Sequence, residues 1–155
     1  GLPNRLLFNE LAFAAIKQAK RKGTNIALYF LDVDGFKPVN DNYGHDAGDE
    51  LLKQISQRIK LSIREADIVA RIGGDEFIVL LLESDGSQIN IAEKIIDQIS
   101  SSFKIQGQDI KVGISIGISR FPVNGDNLAT LIKSADTAMY AAKRTGRNNY
   151  KIAAI

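Results

Sequence analysis

The stretch RIGGDEFIVLL, residues 71–81, places two glycines between two apolar segments, and this restricts the possible fold more than any other part of the sequence. Both central residues of a type I′ turn need a positive φ, which glycine adopts without a steric clash at Cβ. We therefore predict a two-residue turn at Gly73 and Gly74 that joins two antiparallel strands. Asp75 and Glu76 would then open the second strand.

The spacing of apolar residues predicts the elements around this hairpin. Recurrence at three and four positions predicts helices, and short apolar or alternating runs predict strands. The predicted helices cover residues 6–19, 51–63, 91–99 and 128–139, and the predicted strands cover 26–33, 67–72, 76–82, 112–118 and 150–153. Gly23 and Gly146 are predicted to end the first and last helices. A polar loop is predicted over residues 35–49, with the second helix starting near Gly48.

The predicted order contains a βαββαβ pattern, typical of a ferredoxin-like α+β domain with an antiparallel sheet and helices on one face. In residues 112–118, Val and Ile alternate with Gly and Ser, so one face of this strand should lie in the core and another element should approach the other face closely. The chain has 155 residues, the size of a single domain. We therefore expect one domain over residues 1–155.

Composition excludes several classes of function. The sequence has no cysteine and one histidine, His45, which excludes disulfides and thiol nucleophiles and makes an imidazole zinc site improbable. The net charge is +2 without a basic block, so we expect no nucleic-acid partner. The sequence contains no apolar run of membrane-spanning length, and it begins at Gly1 rather than Met. We expect a cytoplasmic domain excised from a longer protein.

Acidic residues at the ends of two predicted strands indicate a metal site. Asp32 and Asp34 close the first strand and share a face, whereas Asp75 and Glu76 point to opposite faces. If the two strands are neighbours, one acid from each can converge. Mg²⁺ prefers oxygen ligands, usually a couple of carboxylates together with substrate phosphates, which suits phosphoryl or nucleotidyl transfer. The alternative is that these acids are solvated turn residues.

Several motifs together resemble one known family. The sequence is similar, in order along the chain, to the motifs of the GGDEF domain family, the diguanylate cyclases. The matching segments are GLPNR (1–5), LDVDGFKPVNDNYGHDAGDELL (31–52), GGDEF (73–77), VGISIGIS (112–119) and ADTAMYAAKRTGRN (135–148). Five letters alone would be a weak match, but this ordered set covers almost the whole chain.

The resemblance implies a fold like a nucleotide cyclase or polymerase palm. It also implies an activity in bacterial second-messenger signalling: condensation of two GTP into cyclic di-GMP and two pyrophosphates. By motif position, Asp32 and Asp75 resemble the carboxylates that bind Mg²⁺, or Mn²⁺ in its place, with the carbonyl of Val33 assisting. Glu76 resembles the acid that acts near the 3′-hydroxyl or a metal ion.

The resemblance also implies substrate-binding residues. Asn40 and Asp49 resemble the family's guanine readers; a carboxylate accepts from N1–H and the 2-amino group of guanine, which adenine lacks, so GTP is expected over ATP. A different reading of Asp49 is an acid in the first turn of a helix, where the helix dipole favours it. Phe36 and Lys37 fall at the family's phosphate-binding turn.

Two pairs of charged residues have a binding interpretation and a plainer one. Lys143 and Arg147 resemble phosphate clamps, although basic residues at a helix C-terminus also complement the dipole. Arg64 and Asp67 fit the family's R-x-x-D inhibitory site, which binds product, although such a pair is more often a surface ion pair. We expect His45 to be structural.

The expected partners follow from the reaction. Joining two GTP molecules requires a second GGDEF domain across a two-fold axis, so we expect a homodimer, driven by an upstream sensor domain in a full-length protein that could be membrane-attached. Cyclic di-GMP is expected as product and feedback inhibitor. The rival hypotheses are a non-catalytic module that binds GTP or cyclic di-GMP, and a cyclase for another purine, which Asn40 and Asp49 oppose.

Overall fold

Twelve helices and strands build an α+β fold in this computed structural model, which describes residues 2–86 and 88–155. In chain order they are α1 (Arg5–Lys22), β1 (Ile26–Asp34), α2 (Phe36–Tyr43), α3 (His45–Ser62), β2 (Ile68–Gly73), β3 (Glu76–Leu81), α4 (Gln88–Ser100), β4 (Phe103–Ile105), β5 (Gln108–Ile110), β6 (Gly113–Phe121), α5 (Leu128–Arg144) and β7 (Tyr150–Ile152). The main sheet has the strand order β2-β3-β1-β6-β7. The predicted α+β class and the βαββαβ core, formed by β1, α3, β2, β3, α4 and β6, are both present.

Strand β1 is the centre of the sheet. It pairs antiparallel with β3 on one side and with β6 on the other, and β2 pairs antiparallel with β3. The predicted terminal strand is present as β7, which adds a parallel edge to β6. β1 can occupy the centre because its residues 26–31 are apolar on both faces and are all buried.

Helices cover both faces of the sheet. On one face, Tyr29 and Leu31 of β1 join a core with α3 and α4; on the other, Leu28 and Phe30 join a core with α1 and α5. The two helices of the βαββαβ core, α3 and α4, lie on one face as the ferredoxin-like pattern predicts, and the additional helices α1 and α5 cover the other face. The side chains on both faces of β1 are apolar, so other elements must pack against each face of the strand.

The segment predicted as a polar loop is mostly helical. Helix α2 occupies Phe36–Tyr43, and α3 begins at His45 rather than near Gly48. Pro38 lies in the first turn of α2, where a missing N–H breaks no helical hydrogen bond. A small hairpin of β4 and β5, which the sequence did not indicate, forms a separate two-stranded sheet.

The Gly and Ser face of β6 lies against α5, as the alternating sequence predicts. A Cβ on Gly117 would lie 1.9 Å from the carbonyl oxygen of Ala135 and 2.3 Å from the amide nitrogen of Met139. Nearby, Ser119 Oγ donates a hydrogen bond of 2.7 Å to the carbonyl oxygen of Leu131. The absence of a side chain at Gly117 therefore lets the backbone of α5 contact the sheet directly.

Within residues 2–86 and 88–155, each helix is too short or too polar to cross a lipid bilayer.

Candidate active site

The hairpin turn is shifted by one residue from its predicted position. Gly73 pairs with Glu76, so the two residues of the loop are Gly74 and Asp75 rather than the two glycines. A register shift in β2 between Arg71 and Gly73 produces this change, and Arg71 Nε donates a 2.8 Å hydrogen bond to the carbonyl oxygen of Gly74. Gly74 has a φ of +47°, a left-handed conformation that glycine accepts readily. Asp75 therefore lies in the turn, and Glu76 opens β3.

The turn delivers its acids to the end of β1. The two strands are neighbours, as predicted, and Asp32 lies directly opposite Glu76 in the antiparallel register. Asp75 reaches β1 through its backbone, because its carbonyl oxygen accepts a 3.1 Å hydrogen bond from the amide of Val33. One end of the central strands therefore carries three acids: Asp32, Asp75 and Glu76.

These acids repel one another electrostatically. Burial is the largest cause that raises the pKa of Asp32 from 3.8 to about 6, and Asp75 and Glu76 raise it further, while Lys143 lowers it. Burial also raises the pKa of Glu76, with added repulsion from Asp136 and Asp75. The ionised forms of these carboxylates are therefore poorly stabilised by the protein alone.

Lys143 supplies the positive charge that faces these acids. Its Nζ lies 3.1 Å from Asp34 Oδ1 and 3.5 Å from Asp32 Oδ2, so Asp32 and Asp34 share a face as predicted. The Lys143 side chain is 22% exposed, which leaves it accessible from solvent. It is in the last turn of α5, as the sequence indicates, but its ammonium group is engaged at the carboxylates rather than only with the helix end.

The donor set suits a divalent oxygen-binding cation. Carboxylates that lie close together lose their mutual repulsion when a cation binds between them. Among residues 2–86 and 88–155, no group of three or more Asp, Glu, His or Cys side chains is placed to hold a metal ion. Mg²⁺ commonly binds one or two carboxylates and takes its remaining ligands from water and substrate phosphates, so these residues fit it.

A cavity of about 490 Å³ reaches the turn through Arg71, which lines the cavity and bonds to the carbonyl oxygen of Gly74. Residues from the N-terminus, from α3 and from β2 form its lining: Leu2, Pro3, Asn4, Asp49, Leu52, Lys53, Ser56 and Arg71. Asp49 is exposed there, and because α3 begins at His45, Asp49 lies beyond the first helical turn, where the acid is Asp46. The dipole explanation for Asp49 is weaker for that reason.

Asn40 packs against Gly48, the residue before Asp49, through a close contact between α2 and α3. A Cβ on Gly48 would lie 1.8 Å from Asn40 Oδ1 and 3.3 Å from Phe36 Cζ. Gly48 thus gives α2 space to pack against α3, and the Asn40 side chain occupies that space. Phe36 also packs on the core, whereas Lys37 is exposed at the start of α2.

Arg147 lies just after α5, in a segment of unusual backbone. Its φ is +62° and that of Asn148 is +47°, both in the left-handed region. The Arg147 side chain is exposed and makes no hydrogen bond or ion pair with any residue that the structure describes. Asn148 is fixed: its amide donates to Asp34 Oδ2 at 2.8 Å, and its Oδ1 accepts from the amide of Ile114 at 3.2 Å.

Arg64 and Asp67 lie at the opposite end of the hairpin from the acidic turn, beside the point where Ile68 pairs with Leu80. Arg64 Nε donates to Asp67 Oδ2 at 3.2 Å, and Asp67 Oδ1 also accepts from the amide of Leu82 at 3.0 Å. The Asp67 side chain is 0% exposed, so Asp67 is a buried hydrogen-bond acceptor rather than half of a surface ion pair. Arg64 lines an adjacent groove of about 340 Å³ against α1.

Sequence reasoning missed the role of Asp34. Its carboxylate is not free beside Asp32 but accepts hydrogen bonds from Ser115, Lys143 and the amide of Asn148. These partners are distant in sequence, so no local pattern identifies them. The alternation of Ser with Ile in β6 was the available signal, because it marks Ser115 as facing α5.

The strand order β2-β3-β1-β6-β7, with acids at the end of its central strands, defines an α+β domain of the class that the sequence resemblance implies. Within that class, the profile of the family described as "Diguanylate cyclase, GGDEF domain" matches residues 1–149. The chain belongs to the GGDEF domain family.

Curated relatives agree with this assignment. MucR of Pseudomonas aeruginosa, a bifunctional diguanylate cyclase/cyclic di-GMP phosphodiesterase, is 42% identical over 150 residues, which cover 96% of this chain and 22% of MucR. The diguanylate cyclase TpbB of Pseudomonas aeruginosa is 40% identical over 155 residues, which cover 98% of this chain and 36% of TpbB. The chain therefore spans only a minor part of the length of these relatives.

Solved structures show the same fold. The crystal structure of the GGDEF domain of TpbB, also called YfiN, superposes with a TM-score of 0.95 at 39% identity, covering 100% of this chain and 98% of that one. The GGDEF domain of DgcB from Caulobacter crescentus, in complex with c-di-GMP, superposes with a TM-score of 0.89 at 30% identity, covering 97% and 91%. These structures confirm the predicted fold class.

Proposed function

We propose that this domain is a diguanylate cyclase that supplies half of an active site. Two such domains would each present one GTP, and the 3′-hydroxyl of each GTP would attack the α-phosphate of the other to give cyclic di-GMP and two pyrophosphates. The observation that carries the proposal is the register that places Asp32 opposite Glu76 while the carbonyl of Asp75 bonds to the amide of Val33. Membership of the GGDEF family supports the same reaction.

Asp32, Asp75 and the carbonyl oxygen of Val33 are the groups that would hold Mg²⁺, or Mn²⁺ in its place. When bound, such an ion would neutralise negative charge on the phosphate and carboxylate oxygens. Glu76 is the candidate acceptor of the proton of the 3′-hydroxyl. Burial and neighbouring acids raise its pKa, which makes it a stronger base than an ordinary glutamate.

Asn40 and Asp49 are the proposed guanine readers. Asp49 lines the cavity beside the turn, and Asn40 lies over Gly48, the residue before Asp49. The Asp49 carboxylate can accept hydrogen bonds from N1–H and the 2-amino group of guanine. Adenine offers neither donor, so the pair would select GTP over ATP.

Phe36, Lys37, Lys143 and Arg147 are the proposed triphosphate site. Backbone N–H groups at the start of a helix such as α2 can bind an anion, and the exposed Lys37 adds a cation. Lys143 extends from α5 to within 3.5 Å of the Asp32 carboxylate. Arg147 has no competing ion pair among the described residues. Together they would fix the triphosphate chain and orient the α-phosphate for attack.

Arg64 and Asp67 are the proposed product-inhibition site. Arg64 is more than half exposed, and it donates to Asp67 and to the carbonyl oxygen of Leu82. The groove beside Arg64 leaves its guanidinium accessible to a phosphate or guanine acceptor. In this role Asp67 orients Arg64.

A neighbouring sensor domain would control the reaction by bringing two GGDEF domains together.

The test is incubation of the domain, fused to a dimerising coiled coil, with GTP and Mg²⁺, followed by chromatography of the nucleotides. We expect cyclic di-GMP from the unaltered domain and from Asp97→Ala, an exposed acid on α4, and none from Asp75→Ala. GTP binding without any cyclic di-GMP would contradict the proposal and favour a non-catalytic binding module. Equal turnover of ATP would contradict the guanine assignment.

A further inference from the structure

Asp34 is a buried acid to which the proposed chemistry gives no role. It is 8% exposed, and its Oδ1 accepts from Lys143 Nζ at 3.1 Å while its Oδ2 accepts from the amide of Asn148 at 2.8 Å. Ser115 Oγ lies 2.9 Å from both carboxylate oxygens and donates to one of them at a time. One carboxylate thus joins the end of β1 to β6, to α5 and to the segment after α5.

The first consequence concerns Lys143. A lysine side chain is flexible, and confining its ammonium group costs conformational entropy. Asp34 confines it by a charge-assisted hydrogen bond of 3.1 Å, and the ammonium group then lies 3.5 Å from Asp32. Lys143 is therefore held beside the catalytic acids before any substrate phosphate arrives.

The second consequence concerns Arg147. It and Asn148 adopt left-handed backbone conformations, which are strained for residues other than glycine and are only moderately tolerated by asparagine. The hydrogen bond from the Asn148 amide to Asp34 opposes that strain, as does the bond from the Ile114 amide to Asn148 Oδ1. Asp34 thereby fixes the backbone from which the Arg147 side chain extends.

We propose that Asp34 is a positioning residue for the triphosphate group, acting through Lys143 and Arg147 without touching the nucleotide. Its negative charge and its burial exclude it as a phosphate ligand, whereas Lys143, which it binds, and Arg147, whose backbone it fixes through Asn148, both attract phosphate. This inference rests on the proposed function, because it assumes that Lys143 and Arg147 meet a triphosphate.

The informative change is Asp34→Asn, which keeps the shape of the side chain. The amide oxygen can still accept from Asn148, but the NH₂ group then replaces the oxygen that accepts from Lys143. We expect the Kd for GTP to rise about tenfold, as for loss of one charged partner. The Kd for GMP, which lacks the outer phosphates, should stay within about twofold.

Binding is measured by calorimetry with Mg²⁺, using GMP and a GTP analogue whose α–β bridge is a methylene group and which cannot release pyrophosphate. The matched control is Ser119→Ala, which removes a buried hydroxyl from the same face of β6, bonded to Leu131 rather than to the site. Ser119→Ala should lower the midpoint of thermal unfolding without changing either Kd. Because the amide oxygen still accepts from Asn148, Asp34→Asn tests the route through Lys143 alone. In a Lys143→Met background, Asp34→Asn should therefore have no further effect on the Kd for the analogue.

Three results would overturn the positioning role: an unchanged Kd for the analogue in Asp34→Asn, an equal loss for the analogue and GMP, or an additive effect in the Lys143→Met background. If the unaltered domain forms cyclic di-GMP and one of these results appears, only the role of Asp34 fails. If the unaltered domain binds neither GTP nor its analogue, the proposed function fails and the inference fails with it.

Discussion

Replacing Asp32 by Asn should stabilise the domain at neutral pH while abolishing its turnover. Burial, followed by repulsion from Asp75, raises the pKa of Asp32 from 3.8 to about 6 even though Lys143 opposes the shift. A shift of about two units corresponds to about 3 kcal/mol, at about 1.36 kcal/mol per unit. The ionised carboxylate therefore weakens the folded state, and a neutral side chain of the same shape removes that cost.

The sign of the effect depends on pH. Between pH 3.8 and about 6 the folded state binds more protons at Asp32 than the unfolded state does, so the free energy of unfolding falls as pH rises through this window. Asparagine carries no charge at any pH. Its advantage should be about 1–3 kcal/mol near pH 7.5, reduced by the lost contact with Lys143, and close to zero near pH 4.

Urea unfolding followed by circular dichroism at these two pH values, with chelator present, measures the difference. In thermal unfolding, 1 kcal/mol corresponds to about 2–4 °C for a domain of this size. The matched control is Asp97→Asn, an exposed acid on α4, which should change stability by less than about 0.5 kcal/mol. Lower stability of Asp32→Asn near pH 7.5, or an equal gain at both pH values, would refute the electrostatic reasoning.

Four further changes test the packing, a helix cap and the proposed product-inhibition site at Arg64 and Asp67. Gly117→Ala should lower the free energy of unfolding by more than about 2 kcal/mol, because its Cβ would lie 1.9 Å from a backbone oxygen of α5; an unchanged urea midpoint would contradict this contact. Asp67→Ala should cost about 3 kcal/mol by leaving buried amides unpaired. Arg64→Ala should cost about 1 kcal/mol or less and should raise the cyclic di-GMP concentration for half inhibition; equal inhibition of both proteins would exclude the inhibitory site. Asn127→Ala, which removes the N-cap bond to the Thr130 amide, should cost about 1 kcal/mol by thermal unfolding.

The sequence predicts the sheet well because its strands are encoded locally. The apolar run that begins at Ile26 and the glycine pair at Gly73 are short-range signals: β1 forms where the run indicates, and the hairpin forms with its turn one residue later. The segment after Asp34 was predicted as a loop because its composition is polar. It forms α2 and the start of α3 because tertiary contacts, such as Val39 in the core and Asn40 over Gly48, stabilise helices that their composition does not favour.

The candidate site was predictable in position but only partly in detail. Two acids at strand ends predicted convergence, and the neighbouring strands bring it about. The shift of the turn from Gly73–Gly74 to Gly74–Asp75 depends on a register change in β2. The bonds of Asp34 to Ser115 and Asn148 join residues that are 81 and 114 positions apart. Neither feature leaves a periodic signal in the sequence.

The rate of cyclic di-GMP formation as a function of domain concentration tests the central claim most directly. If each domain holds half of the active site, the rate per domain should rise in proportion to concentration while most domains are monomeric, and it should level off as dimers fill. Asp75→Ala should give no product at any concentration. The contrary result is a rate per domain that stays the same at all concentrations, including concentrations well below the Kd for dimerisation. That result would contradict a site shared by two molecules.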